Sequence, residues 1–176
     1  GKMKSREGTV VDADELVEDL KQLSLRELKE RYKGLSNELE LRAEKIALAA
    51  LRFFILKYDY KRDFLFNSEE SLSFEGETGP YILYAYARIC SIYQQAHRLS
   101  IDVPYNPTSD KINPNYSVID DIYTQLNHPK ELQVIEKLYE YPNILYSSAV
   151  DYKPHLLTRY LYELAQIFTS FYHECH

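Results

Sequence analysis

The sequence predicts an all-α protein, a bundle of about six or seven helices. Apolar residues recur at spacings of three and four along several segments, which is the pattern of helices with one buried face. Alternating, strand-like patterns are almost absent, and no internal repeat is visible. Because 176 residues with 45% hydrophobic content can bury a core, a disordered chain is excluded.

The first predicted helix begins after Asp12, whose carboxylate can accept hydrogen bonds from the free N–H groups of a helix start. Glu15 completes a capping-box pattern, and three leucines follow at helical spacing, Leu16, Leu20 and Leu23. Ser24 repeats the capping signature. We therefore expect a separate second helix over residues 25–33 that ends at Gly34.

A longer helix is predicted from Ser36, and its second half is apolar nearly all round, which indicates burial between layers. Residues 58–79 lose the helical period, so they predict a connection with a short extended piece at 64–66. Pro80 then opens a helix that runs to about Leu99. Its apolar stripe consists of Ile82, Ala85, Ile89, Tyr93 and Ala96.

The C-terminal half begins with a loop, which prolines and asparagines predict over residues 103–116. Helices are expected over 118–126, 129–139 and 142–150, and prolines open the last two. The final helix begins at Pro154. Its core stripe is formed by Leu157, Leu161, Leu164, Phe168 and Phe171.

Charge and aromatic residues are unevenly distributed along the chain. The net charge is −6, but residues 1–62 sum to +2 and residues 63–176 sum to −8. The acidic part nevertheless carries 14 of the 17 tyrosines. Tyrosine combines apolar area with a polar tip, which suits an interface that must also stay soluble.

Several classes of protein are disfavoured by what the sequence lacks. No stretch approaches the roughly 20 apolar residues that a bilayer crossing needs. The start is too polar for a signal sequence, so we expect a cytoplasmic protein without a membrane partner. Phosphate-loop, nucleophile-elbow and metalloprotease motifs are missing, so a self-contained catalytic site is not expected.

The two cysteines are predicted to be reduced, buried thiols, because Cys90 and Cys175 cannot build a disulfide framework. Cys175 stands with His173 and His176 near the end of the chain, a set that could attract zinc. A structural zinc site needs four ligands, and no second ligand pair is spaced elsewhere. We therefore expect no metal site.

The first residues concentrate positive charge. Lys2, Lys4 and Arg6 stand close to the flexible Gly8, and mobile ammonium and guanidinium groups of this kind can close on phosphate oxygens. From composition alone, a solvated basic tail is the commoner explanation. The chain starts at Gly1 without a structured lead-in, which suggests a segment of a longer protein.

Segments of the chain share their residues and their order with one known family. Residues 2–11 read Lys-Met-Lys-Ser-Arg-Glu-Gly-Thr-Val-Val, and residues 72–88 read Leu-Ser-Phe-Glu-Gly-Glu-Thr-Gly-Pro-Tyr-Ile-Leu-Tyr-Ala-Tyr-Ala-Arg. They resemble the KMSKS-type loop and the head of the anticodon-binding (DALR) domain of class I arginyl-tRNA synthetases. Residues 46–54 resemble the helix that follows that loop, and residues 160–165 and 168–175 resemble the late helix of that domain.

The resemblance implies two parts. Residues 1–62 would be the loop and a helical connection from the catalytic domain, and residues 63–176 an all-α bundle of the class I synthetase anticodon-binding type, incomplete at its C-terminal end. The whole enzyme would be an arginine-tRNA ligase that uses ATP with Mg. Its partners would be arginine tRNA, ATP and arginine, with no DNA. The chain alone would be monomeric. It would be inactive and without a bound cofactor, because the nucleotide-binding domain would precede Gly1.

The resemblance also implies a role for the cations of the first segment. In the family this loop closes over ATP and stabilises the pyrophosphate leaving group, which is electrostatic stabilisation of a transition state. Lys2, Lys4, Ser5 and Arg6 would have that role here. Because the sequence departs from the family's five-residue pattern, either Lys4 or Arg6 would reach the phosphates.

The resemblance finally implies tRNA-binding residues. Tyr81, Tyr84 and Arg88 share one helical face, and they would stack on splayed anticodon bases or contact phosphate. On residue types alone this face is equally compatible with core packing, with Arg88 paired to Glu75 or Glu77.

One alternative function remains at this stage, a helical protein-interaction domain that does not touch RNA. The charge of −8 over residues 63–176 is its best support, because an acidic surface repels a polyanion at long range. Stacking does not depend on net charge, so the acidity does not exclude RNA.

Overall fold

The fold was obtained as a computed structural model, which describes residues 12–32, 36–101, 103, 105–106, 111–112 and 126–175. The elements in chain order are α1 (Ala13–Arg31), α2 (Ser36–Leu56), α3 (Ser68–Leu72), α4 (Gly79–Arg98), β1 (Tyr105–Asn106), β2 (Lys111–Ile112), α5 (Pro129–Val150) and α6 (Pro154–Cys175). Within the described ranges, strand structure is limited to β1 and β2, which pair antiparallel. The all-α prediction is confirmed.

Internal contacts divide the chain into two compact units, Gly1–Pro80 (unit 1) and Tyr81–His176 (unit 2). The domain boundary that the sequence predicts after residue 62 stays a prediction. The predicted helix over 118–126 falls almost entirely on residues 113–125, which lie outside the described part of the chain.

Unit 1 is built on the packing of α1 against α2. Small residues of α2 at spacings of four and three let the two helices approach closely: Ala43, Ala47 and Ala50 are at most 1% exposed. Leu20 of α1 is fully buried in one cluster with Ala47, Ala50, Leu51 and Leu72. Most of the apolar second half of α2 is buried or half-buried, as its composition predicts, but Ile55 and Leu56 at its end are 46% and 41% exposed.

The separate helix predicted after Ser24 is wrong, because α1 runs unbroken from Ala13 to Arg31. Ser24 is only 4% exposed, and its hydroxyl has no hydrogen-bond partner among the described residues. Leu20 and Leu25 lie on either side of it and both pack into the core, so burial keeps the segment helical despite the local capping signature. The cap at Asp12 is confirmed, since its carboxylate accepts from the N–H of Asp14 at 2.8 Å.

The extended piece predicted at 64–66 is not a strand. Phe64 and Phe66 instead turn their rings onto Phe54 of α2, with centroids 6.0 and 4.9 Å from it. Tyr58 stacks on Phe64 at 4.8 Å with only 7° between the ring planes. Ring packing holds this connection against α2.

The start of α4 is fixed by a turn and by a close backbone approach. Gly76 adopts φ +80°, as the tight turn over residues 74–76 requires, and Thr78 caps it by donating its hydroxyl to the carbonyl of Ser73 at 2.6 Å. Gly79 then lies directly on α2, where a Cβ atom would collide with the backbone carbonyl of Ala49. Lys57, which directly follows α2, holds the same turn, because its ammonium donates a hydrogen bond to the carbonyl of Glu77 at 3.4 Å.

The two helices predicted over 129–139 and 142–150 are one helix, so that prediction is wrong: α5 continues through Pro142. Proline lacks the N–H that would bond the carbonyl four residues earlier and normally breaks a helix. In unit 2 the neighbouring turn is supported from α6, because the hydroxyl of Tyr160 donates to the carbonyl of Lys137 at 3.0 Å. The ammonium of Lys137 also binds Glu140 and Glu163, each at 2.7 Å.

The predicted core stripe of α6 is also corrected. Leu161 is 36% exposed and the other four stripe residues are half-buried, whereas the buried residues of α6 are Thr158, Tyr160 and Ala165. The contacts with α5 set this face, since Tyr160 and Glu163 are the residues that reach Lys137. The buried face of α6 is therefore the one beside the contacts of Tyr160 and Glu163 with Lys137, and not the most apolar face of the helix.

We predict that Gly79→Ala destabilises unit 1 by roughly 1–3 kcal/mol, because the added methyl group forces the start of α4 away from the carbonyl of Ala49. Chemical denaturation followed by circular dichroism measures the change. The matched control is Gly76→Asn, which has open space around its Cβ and a residue that tolerates positive φ. A loss for Gly79→Ala no larger than that for Gly76→Asn would show that the close approach of Gly79 to Ala49 is not limiting.

We also predict an acid-sensitive contribution from Glu163. Its hydrogen bond from Lys137 lowers the pKa of this carboxyl below its ordinary value of 4.5, although burial opposes the shift. A lowered folded pKa stabilises the fold above pH 4.5, and that contribution is lost as the pH falls through the folded value. Glu163→Gln should flatten the acid limb of stability against pH, whereas the control Glu136→Gln should not.

Candidate functional site

The structure places the three residues of the predicted tRNA face together on α4. Tyr81 is half-buried, Tyr84 is 46% exposed and Arg88 is half-buried between them and α6. The other predicted site residues, Lys2, Lys4, Ser5 and Arg6, lie outside the described residues. The geometry of the candidate site is therefore that of α4 and α6 in unit 2.

Arg88 is held by aromatic rings from two helices. Its guanidinium carbon lies 4.5 Å from the ring centre of Tyr84 on α4 and 4.9 Å from that of Tyr172 on α6. One Nη atom donates to the hydroxyl of Tyr84 at 3.0 Å. The other lies 3.4 Å from Nε2 of His173, which must accept, since a guanidinium has no acceptor. We call Tyr84, Arg88, Tyr172 and His173 the Arg88 cluster.

The contacts of Arg88 leave part of its hydrogen-bonding capacity unused. Within unit 2, every contact that the described residues make with its guanidinium comes from a ring, a hydroxyl or an imidazole, and none from a carboxylate. An arginine carries five N–H donors, and only two of its nitrogens are engaged in these bonds. A planar cation stacked on aromatic rings remains able to bind phosphate or a base edge.

Of the four tyrosines of α4, the two on the predicted tRNA face differ: one packs against another helix and the other is available to a ligand. Tyr81 packs on Tyr162 of α6, with ring centroids 5.5 Å apart, so it joins the two helices. Tyr84 leaves nearly half of its surface in solvent. The exposed ring of Tyr84 is thus the part of the face that can receive a ligand.

The sequence analysis missed the residues that α6 contributes, Tyr162, Tyr172 and His173. They lie up to 85 positions from their partners, and no local spacing reports such a contact. In the sequence, His173 stands out only as a possible zinc ligand, and the residues around all three resemble a helix of the synthetase family. Aromatic residues at the end of an amphipathic helix were the one available signal.

The second cluster of polar residues joins the start of α5 to the end of α6. His128 caps α5, because its Nδ1 accepts from the N–H of Lys130 at 3.2 Å, and Glu131 completes a capping box. The same Nδ1 lies 3.1 Å from the sulfur of Cys175. Cys175 is exposed, which corrects the expectation of a buried thiol, while Cys90 is half-buried.

This second cluster has a structural role. Desolvation raises the pKa of the Cys175 thiol, and so does the nearby charge of Glu131, which disfavours the reactive thiolate. No group of three or more histidine, cysteine or acidic residues suited to a metal ion is found among the described residues. Within the same ranges, no helix is long and apolar enough to cross a membrane.

The chain is similar in sequence to proteins of a known family. The profile of the family described as "DALR anticodon binding domain" matches residues 82–176. An "Arginine--tRNA ligase" of Flavobacterium psychrophilum is 39% identical over 175 residues, which are 98% of this chain and 26% of that protein. A protein of the same name from Treponema denticola is 39% identical over 176 residues, 99% of this chain and 28% of that protein.

Solved structures agree with these relatives. An arginyl-tRNA synthetase of Thermus thermophilus superposes with a TM-score of 0.75 and 27% identity over 98% of this chain and 25% of that one. The chain spans about a quarter of the length of the relatives that it matches. The four residues of the Arg88 cluster fall inside the segment matched by the family profile, which begins at residue 82 within α4.

We predict that Tyr84→Ala costs about 1 kcal/mol of stability or less, because the ring is half exposed and loses mainly its cation–π contact. The matched comparison is Tyr160→Ala, a residue only 3% exposed, which should cost roughly 3 kcal/mol or more. Urea denaturation of both variants gives the two values. A loss for Tyr84→Ala as large as that for Tyr160→Ala would assign Tyr84 to the core.

Proposed function

The chain belongs to the family of DALR anticodon-binding domains, and from that membership we propose that it holds the anticodon stem and loop of an arginine tRNA. The observation that carries the proposal is the Arg88 cluster, in which the exposed ring of Tyr84 lies beside a guanidinium that no carboxylate neutralises among the described residues of unit 2. A loop base can stack on such a ring, and each stack contributes roughly 1–3 kcal/mol.

The target class follows from this chemistry. Anticodon bases are single-stranded and can be splayed out of their stack, which makes both faces and edges of the base accessible. The guanidinium of Arg88 can bind a base edge or a phosphate while it keeps its contact with the ring of Tyr172. A double-stranded helix offers no such free base, so the loop and not the stem is expected at Tyr84.

The acidity of unit 2 does not exclude this target, because base stacking does not depend on net charge. Lys130, Lys137, Lys153 and Arg159 each bind a carboxylate in unit 2. Long-range attraction of RNA is therefore weak, and recognition depends on short-range contacts at the Arg88 cluster. The family match does not favour the alternative of a protein-interaction domain that avoids RNA.

The names of the relatives support an arginine-tRNA ligase as the whole enzyme, and we propose that this enzyme uses ATP. ATP with Mg supplies the activation chemistry in such an enzyme. Lys2, Lys4, Ser5 and Arg6 would stabilise the charge that builds up on the leaving phosphates. A cytoplasmic, monomeric protein is part of the same proposal.

We predict that the chain binds an RNA hairpin carrying an arginine anticodon loop, and that Tyr84→Ala weakens this binding about tenfold through loss of one base stack. Arg88→Lys should also weaken it, since an ammonium cannot stack in the same plane. Fluorescence anisotropy with a labelled hairpin measures both effects.

The matched control is Tyr60→Ala in unit 1, because Tyr60 is 67% exposed and also carries a cation, Lys61, 5.4 Å from its ring centre. Its affinity should equal that of the unmodified chain. Binding that is unchanged by Tyr84→Ala, or identical for arginine and non-arginine loops, would contradict anticodon recognition at this face.

A further inference from the structure

The face of α4 that carries Tyr84 and Arg88 continues to the C-terminal end of the helix. Counting in steps of three and four from Tyr81 gives one line of residues along the helix surface, Tyr81, Tyr84, Arg88, Ser91, Gln95 and Arg98. Ser91, Gln95 and Arg98 are all exposed. We call this line the α4 polar strip.

The strip contains two cations of unit 2 that have no carboxylate partner among the described residues. Among the described residues of that unit, the cations with a carboxylate within ion-pair distance are Lys130, Lys137, Lys153 and Arg159. Arg88 contacts rings and His173, and the side chain of Arg98 makes no hydrogen bond or ion pair within the part of the chain that the structure describes. Both arginines thus lie on one helix face.

The spacing of the two arginines suits a polyanion. They are ten residues apart on a continuous helix, which places them about 15 Å from each other along its axis. Residues 81–176 hold 7 Lys and Arg against 10 Asp and Glu, a net charge of −3. A face with no acidic residue and with two arginines that have no carboxylate partner among the described residues is therefore complementary to phosphate where the rest of unit 2 is not. Charge complementarity on this one strip points to an anionic partner.

From this arrangement we propose that Arg98 binds a backbone phosphate of the same RNA whose loop base stacks on Tyr84. The inference rests on the proposed function and extends the contact surface from the Arg88 cluster along the full length of α4. Arg98 supplies a sequence-independent contact that fixes the register of the RNA, because phosphates carry charge but no base identity.

The residues between the two arginines suit the same partner. The side-chain amide of Gln95 offers both a donor and an acceptor to a ribose or a base edge. The hydroxyl of Ser91 donates to the carbonyl of Ala87 at 3.0 Å, so it can act toward a ligand only as an acceptor, as toward a ribose hydroxyl. RNA is favoured over an acidic peptide because an aromatic base platform and a phosphate contact lie on one line.

The test measures how the affinity for the arginine anticodon hairpin depends on salt, with the full 176-residue chain. Each phosphate contact releases counterions and adds about 0.7–0.9 to the slope of log affinity against log salt. Arg98→Ala should lower the slope by about that amount and weaken arginine and non-arginine hairpins equally. Arg98→Lys should retain the slope, since an ammonium still binds phosphate.

The matched control is Arg159→Ala, which removes an arginine whose side chain is 74% exposed but paired with Glu163. It should leave the slope unchanged. Arg98→Gln serves as a second neutral variant if the alanine variant melts differently from the unmodified chain, and it should lower the slope by the same amount.

The outcomes separate the two proposals. If the unmodified chain does not bind the hairpin, the proposed function fails. If it binds, Tyr84→Ala weakens it, and yet both neutral variants of Arg98 keep the full slope, the inference about Arg98 is overturned alone. Polyglutamate that competes with the hairpin as effectively as single-stranded RNA does would overturn the assignment of the strip to RNA.

Discussion

The position of Arg88 over two aromatic rings, one from α4 and one from α6, is the constraint on which the candidate site depends. The guanidinium contacts Tyr84 and Tyr172 and therefore fixes one helix against the other through side chains. A charged group that is stacked and hydrogen-bonded in advance loses little freedom when a ligand arrives. The exposed half of the Tyr84 side chain is then a preorganised binding surface for a ligand, on a unit that otherwise carries net negative charge.

Each unit supplies its own support for the elements that carry function. In unit 1, the glycine at position 79 lets the start of α4 lie on the backbone of α2. In unit 2, the ammonium of Lys137 joins α5 to α6 through Glu163. The hydroxyl of Tyr160 donates to the backbone carbonyl of Lys137, little more than one turn before Pro142. Burial raises the pKa of Tyr160, which keeps that hydroxyl protonated as a donor. Polar contacts thus determine how α5 and α6 pack together, which the spacing of apolar residues alone does not specify.

Sequence reasoning predicted the elements whose causes are local. The capping carboxylate of Asp12, the start near Ser36 and the prolines before α4 and α6 act within a few residues, and those helix starts are confirmed. It was wrong at Ser24 and Pro142, where helix-ending signals are overruled by packing from another helix. Tyr172 and His173 could not be assigned for the same reason, because their contact with Arg88 exists only after the chain has folded.

A crystal structure of the chain bound to an RNA hairpin with an arginine anticodon loop is the most direct test of the site. The account predicts a loop base against the ring of Tyr84, with the guanidinium of Arg88 still over Tyr84 and Tyr172. RNA bound to another face of unit 2, or a complex in which Arg88 leaves both rings, would contradict it.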